Sequence, residues 1–397
     1  MDGNFRTKRE ARYGVTLFLM VLTHVLVHCA GNIRSTLFPV LKDEFSLSNQ
    51  QIGLILAIPT LCQMVFSIPT GLLSDRFGAK KLIAMSILMA AGGAALASIS
   101  VDPTMYIIAS TLLILDSTTY HPPAQSYVAS ITEPKNRSRA LGFWNGGGTF
   151  GVSLGPLSVT ILMGVFMLGW RQTYAFWVFP ILFGLVALYF VKDSTETVER
   201  RLAREETETG SAKKLLNRNM IMFLTASAVG SFGASLSGGF LSIWLAEDLG
   251  WNLSEIGLMF GISSMMGIFV SPLGGEFADR FGEKRWIVVT TFVSYTCFLV
   301  AILLRGFWPF LIFYLAERFF GIMAMAANAS LTAKLSPPRR RGIGFALSAV
   351  PGSLVSTMGA MIAAYVADLF GLYPLFLATT MIHYVGLGIL QFGVRTD

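Results

Sequence analysis

The chain has 397 residues, 53% of them hydrophobic and only 13% charged, with a mean hydropathy of +0.61. That is about half the charge of a soluble domain, so most of the surface cannot face water, and no soluble segment is large enough for enzyme chemistry. A β-barrel would alternate over short segments; these apolar runs are long and unbroken.

The polar, basic start MDGNFRTKREARYG leads into an apolar run too long for a cleavable signal, so the first helix is expected to remain as a span. Twelve spans are expected, near 13–40, 50–72, 81–100, 104–131, 139–165, 173–192, 219–246, 253–275, 286–304, 307–334, 342–369 and 373–394. A helix needs about 20 residues to cross the hydrocarbon. The expected class is an all-α polytopic membrane protein. With the first end cytoplasmic, all but five of the 30 Lys and Arg fall at the termini or in loops after even-numbered spans; the exceptions are Arg34, Lys42, Arg171, Arg305 and Arg318. This positive-inside asymmetry places both termini in the cytoplasm; the plasma (inner) membrane is the expected location. The net charge of +7 is therefore topological, and no nucleic-acid partner is expected. Cys29, Cys62 and Cys297 are far apart in apolar runs and form neither a disulfide frame nor a metal cluster.

Two clauses repeat: GLLSDRFGAKK at 71–81 and GGEFADRFGEKR at 274–285. Gly71, Asp75, Arg76, Phe77, Gly78, Lys80 and Lys81 recur as Gly275, Asp279, Arg280, Phe281, Gly282, Lys284 and Arg285, a shift of 204. The same shift links Pro134 to Pro338, Arg137 to Arg341 and Gly155 to Gly359. The chain thus reads as two homologous six-span bundles in parallel orientation, 1–192 and 219–397. The segment 193–218, with six acids and six bases, reads as a cytoplasmic linker.

The clause, G-x-x-x-D-R-x-G-x-K/R-K/R, resembles the loop between helices two and three of the major facilitator superfamily. The resemblance covers essentially the whole chain. It implies two six-helix bundles around a central cavity, rocker-switch alternating access, and a conformational latch at Gly71, Asp75, Arg76, Gly78, Gly275, Asp279, Arg280 and Gly282. The plainer reading is a topology anchor, with glycines allowing close approach and basic residues held at the headgroups.

Span five reads GFWNGGGTFGVSLGP. Its Gly142, Gly151, Gly155 and Pro156 are similar to the helix-five motif of facilitator antiporters, which implies proton-coupled export. The trailing Gly-Gly of that motif is replaced by Ser158 and Val159. Gly151 and Gly155 also make a small-x-x-x-small surface, so tight helix packing accounts for the same residues. Many proton antiporters of the superfamily carry an arginine in span four; Ile114, Leu115 and Asp116 stand there, so that proton switch is not carried over. A weaker resemblance, to fosmidomycin-resistance-type exporters, rests on His24, on Tyr120-His121-Pro122 and on the run 147–156.

Ionisable groups inside a bilayer are costly and few. In span one His24, His28 and Asn32 recur at i, i+4 and i+8 and form one polar stripe, with Arg34 nearer the outer end. Either histidine can carry a coupling proton; equally, the stripe can pack on a neighbouring helix. Two histidines four apart can bind a metal, but no acidic or cysteine cluster joins them, and no metal is assigned. In span four Asp116 is the first candidate proton carrier; an ion pair with Arg34 or Arg318 is its alternative. Tyr120 shares its face, and Pro122 and Pro123 free two carbonyls. In span ten Glu317 is a further proton candidate, while Arg318, Asn328 and Tyr314 join Arg34, Asn32, Tyr120 and His121 as candidate substrate contacts. Trp170, Trp251 and Trp308 sit at outer span ends and read as an interfacial belt.

The expected function is secondary transport of a small organic solute by alternating access, proton-coupled and outward. Alternatives are a proton- or sodium-coupled importer of an organic anion and a non-transporting membrane sensor. No cofactor is called for, the coupling ion is H+, the surroundings are lipid, and a monomer suffices. No phosphate-cradling loop or nucleophile elbow is present, so an enzyme is not expected.

Overall fold

Asp102 accepts from the amide of Met105 ahead of Pro103, and Asn217 and Asn252 accept from Met220 and Glu255, so polar caps open three of the helices. Gly78 and Gly282, both at φ 85°, lie within the repeated clauses and open the helices that follow. That left-handed backbone favours glycine. The computed structural model describes residues 2–133, 136–191, 217–336 and 341–395, without the side chains of 2–12, 68, 71, 72, 74–76, 137, 138, 333 and 341–350. The side chains of Gly71, Asp75 and Arg76, and the linker up to 216, lie outside the described residues.

The helices are α1 Asp2–Gly31, α2 Arg34–Glu44, α3 Asn49–Phe77, α4 Ala79–Ser98, α5 Pro103–Ile131, α6 Arg137–Ser158 and α7 Trp170–Tyr189. The second half has α8 Arg218–Gly238, α9 Leu241–Glu247, α10 Leu253–Phe281, α11 Glu283–Leu304, α12 Phe307–Leu335, α13 Arg341–Phe370 and α14 Tyr373–Gly393. No strand occurs among the described residues, so the all-α expectation holds. Eleven helical spans among them are long and apolar enough to cross a membrane. The remaining one, α5, has 29 residues, about 44 Å of helix. Its hydropathy is lowered by Asp116, the Ser117–Thr119 run, His121 and two prolines.

Spans one and seven are broken rather than continuous, at Asn32–Ile33 between α1 and α2 and at Gly239–Phe240 between α8 and α9. Each break follows a glycine, a poor helix former. Span five runs through Pro156, which lacks an amide, and continues as a π-helical turn over Val159–Val165.

The helices gather into two compact units: Met1–Thr36 with Cys62–Leu202, and Leu37–Leu61 with Ala203–Asp397. Within the second, Gly53 lets α3 approach α13; a Cβ there would lie 2.6 Å from the Ala364 methyl. The units repeat their internal pairings. In the first, α1 packs on α6 and α7, and α4 on α5; in the second, α8 packs on α13 and α14, and α11 on α12. Met220, Phe223, Ala278, Ile287, Leu331, Leu390 and Val394 form a buried core in the second unit.

The aromatic belt needs correction. Trp308 is 68% exposed, but Trp170 and Trp251 are buried. Trp170 meets Tyr106 edge-on with ring centroids 5.9 Å apart, and Trp251 lies 4.6 Å from the Phe307 ring. Neighbouring helix ends of the same unit cover them.

Candidate functional site

In the first unit glycines decide how α6 sits on α1. A Cβ on Gly147 would stand 2.7 Å from Val21 Cγ1, one on Gly148 2.5 Å from the His24 ring, and one on Gly155 2.6 Å from the Cys29 carbonyl. Gly151 faces the main chain of Val25 at still closer range. One face of α6 is therefore backbone laid against α1, which is the packing reading of the glycines. Gly142 has nothing near its Cβ position.

This approach presses His24 between rings. Its imidazole stacks on Trp144 at 4.1 Å and on Tyr120 at 5.1 Å. Its Nδ1 donates to the Trp144 carbonyl at 2.7 Å, which assigns the proton to Nδ1, because a carbonyl only accepts. Nε2 is buried and lacks a hydrogen-bond partner. His28, one turn on, lies 3.1 Å from His121 between Nε2 atoms. The three imidazoles stand with centroids 5.0–5.1 Å apart, so histidines from spans one and four form one cluster. Tyr120 is closed off as a substrate contact: its hydroxyl meets Thr23 at 2.8 Å and donates to the Met20 carbonyl at 3.1 Å. Asn32, in the break between α1 and α2, donates back to the His28 carbonyl in the last turn of α1.

Asp116 is buried, and among the described residues no side chain partners either carboxylate oxygen. It makes no ion pair with Arg34 among the described residues. Arg34 has an unpartnered buried Nη1 and lies within electrostatic reach of Tyr106 and Tyr174, whose hydroxyls meet at 2.9 Å.

The second unit holds a cavity of about 590 Å³. Apolar side chains such as Ile287, Met325 and Leu387 dominate its wall, and Glu317, Arg318, Asn328, Tyr295 and His383 supply its polar groups. Glu317 is only 1% exposed and takes both Nε and Nη2 of Arg318, while Ser294 donates to its main-chain carbonyl at 2.9 Å. Arg318, adjacent in sequence, is 44% exposed, so its guanidinium is held from behind by Glu317. Tyr314 is packed under Arg318, 5.6 Å from ring centre to guanidinium carbon, and is not among the lining residues.

His383 and Tyr295 were not singled out in the sequence. Their rings stack at 3.4 Å, and His383 Nδ1 donates to the Thr379 carbonyl at 2.7 Å. Gly233 makes the room, since a Cβ there would fall 2.7 Å from Nδ1. The available signal was a lone histidine in the apolar last span.

In the second latch clause, Arg280 pairs with Glu276 one turn back on α10 and Asp279 is exposed. Gly275 has open space at its Cβ position, whereas Gly282 is required by its φ.

The family model described as Major Facilitator Superfamily matches residues 20–237 and 223–395. Multidrug resistance protein 2 of Bacillus subtilis is 24% identical over 392 residues, covering 96% of each chain. A probable nitrate transporter of Staphylococcus epidermidis is 24% identical, covering 69% of this chain and 68% of that one. A crystal structure of a bacterial homolog of the human lysosomal transporter Spinster, inward-facing and occupied, superposes with a TM-score of 0.82 at 14% identity, covering 98% of this chain and 97% of that one.

Proposed function

Because this chain belongs to the Major Facilitator Superfamily and is a multi-pass secondary transporter of small molecules, we propose that it exports amphipathic organic solutes in exchange for protons carried by Asp116. The observation that carries the coupling half is the state of that carboxyl. It is buried in α5 with no side chain partnering either oxygen among the described residues, and a charge there is costly unless it is paired or neutralised by a proton. The cavity supports the choice of solute: its wall is mostly apolar with a few convergent polar groups, as small-molecule sites are built. The multidrug name of one relative supports the outward direction. In this reading residues 1–192 and 219–397 move as bundles joined by 193–218. The two repeated clauses latch them, and Glu317 positions Arg318 rather than carrying the proton.

The test uses proteoliposomes with a trapped pH dye and an acid interior. Organic anions, cations and neutral amphiphiles are added in turn, to wild type and to Asp116→Asn. A compound that speeds proton exit only with Asp116 intact supports exchange; a response equal in both proteins refutes Asp116 as the carrier.

A second reading, import of an organic anion with protons, draws on the partly exposed Arg318 side chain lining the cavity and on the nitrate name of another relative. It predicts that an anion added without a gradient acidifies the interior.

A further inference from the structure

We propose that His24, His28 and His121 form a binding site for a divalent transition-metal cation of the zinc, cobalt or nickel class. One ring nitrogen from each of the three lies within 4.8 Å of the others. Metal–nitrogen bonds of about 2.0–2.1 Å in a tetrahedron put ligand nitrogens about 3.3–3.4 Å apart. His28 and His121 are already 3.1 Å apart, so at most about 1.4 Å of ring movement by the third completes the triangle. The direct His28–His121 contact needs one proton between two Nε2 atoms, and a cation takes the place of that proton.

The surroundings are those of an oriented ligand. Metal-bound imidazoles commonly donate their second nitrogen to a carbonyl or carboxylate, which fixes tautomer and ring plane. His24 does this: Nδ1 donates to the Trp144 carbonyl at 2.7 Å, and its Nε2 lone pair is buried and unpartnered. Stacking between Trp144 and Tyr120 holds the ring plane. The donor set is three neutral imidazoles with no carboxylate or thiolate among them, which suits late transition-metal cations such as zinc and nickel and not magnesium or calcium. Three protein ligands leave a fourth position open to water or to an anionic oxygen. His28 and His121 are half-buried while His24 is buried, so the two outer ligands give the approach.

Untagged full-length protein, stripped with a chelator, is titrated with Co2+ alone, so that the result is independent of transport. The expected outcome is one equivalent bound with the visible absorption of tetrahedral cobalt, displaced by Zn2+. His28→Asn and His121→Asn each weaken binding more than tenfold, and His383→Asn, in the other unit, leaves it unchanged. Should the asparagine variants unfold, the wild type still decides: Zn2+ protects His28 and His121 from acylation by diethyl pyrocarbonate, read by mass spectrometry. Absence of the cobalt spectrum, binding undiminished in both variants, equal loss in His383→Asn, or acylation unaffected by zinc overturns the site.

Discussion

Lys80 and Lys284, equivalent residues of the two repeated clauses, make the same contact in their two units. Lys80 donates to the carbonyl of Val191 at 2.5 Å and Lys284 to that of Val394 at 2.6 Å. Each valine follows the last helix of its half, where carbonyls lack helical partners. A cation there satisfies an acceptor and opposes the negative end of the helix dipole. The repeated lysine is thus a cap within a bundle, a use the sequence-level latch reading does not contain.

Lys80→Met and Lys284→Met keep the apolar stem and remove the donor. Each is expected to cost about 1 kcal/mol. The check is the thermal midpoint in detergent, with similar drops for the two variants. An unchanged midpoint in both shows that solvent replaces the contact at no cost.

The glycine face of α6 separates packing from flexibility. Gly151→Ala places a methyl against the main chain of Val25 and is expected to destabilise by about 1–3 kcal/mol. Gly146→Ala meets nothing within 4 Å and is expected to be neutral or to stabilise by up to about 1 kcal/mol. Unfolding of the two proteins side by side tests this; equal midpoints count against the close α1–α6 approach.

Arg318→Lys keeps the charge but loses the planar fork that Glu317 holds in place. For whichever anionic or amphipathic compound drives transport, affinity is expected to fall at least about tenfold, read as the ligand concentration needed to shift the thermal midpoint. Retained affinity removes Arg318 from the substrate contacts.

Asp248 stands outside the spans, just past α9. Partial burial, and then the neighbouring Glu247 carboxylate, push its pKa above the usual aspartate value. The folded protein therefore binds this proton more tightly than the unfolded chain, and stability from this group falls as pH rises through the carboxylate range. Asp248→Asn is expected to raise the midpoint slightly at pH 7 and to flatten its pH dependence above the ordinary aspartate pKa. The gain is small, because the side chain is largely exposed and screened. A lower midpoint at pH 7 contradicts the assignment. Glu247 itself is held by Lys42 at 2.7 Å.

Composition and periodicity by themselves determined that the chain is a helical membrane protein, that it is duplicated at a shift of 204, and which few polar residues lie inside the spans. These follow from properties local to the chain: apolar length, loop charge and spacing along one helix. Which polar groups meet was decided only in three dimensions. His28 and His121 are 93 residues apart, and His24 and the Trp144 carbonyl 120 apart. Helical spacing says which residues share a face, but not how far a neighbouring helix is rotated or slid against it. In the first unit that register is set by close approach at Gly147, Gly148, Gly151 and Gly155. It leaves Asp116 without a side-chain partner among the described residues, where an ion pair with Arg34 was conceivable, closes Tyr120 into a stack, and adds His121 to the span-one pair. In the second unit Gly233 does the same for His383, whose pairing with Tyr295 depends on helix contact across the bundle and has no trace in the order of residues along the chain.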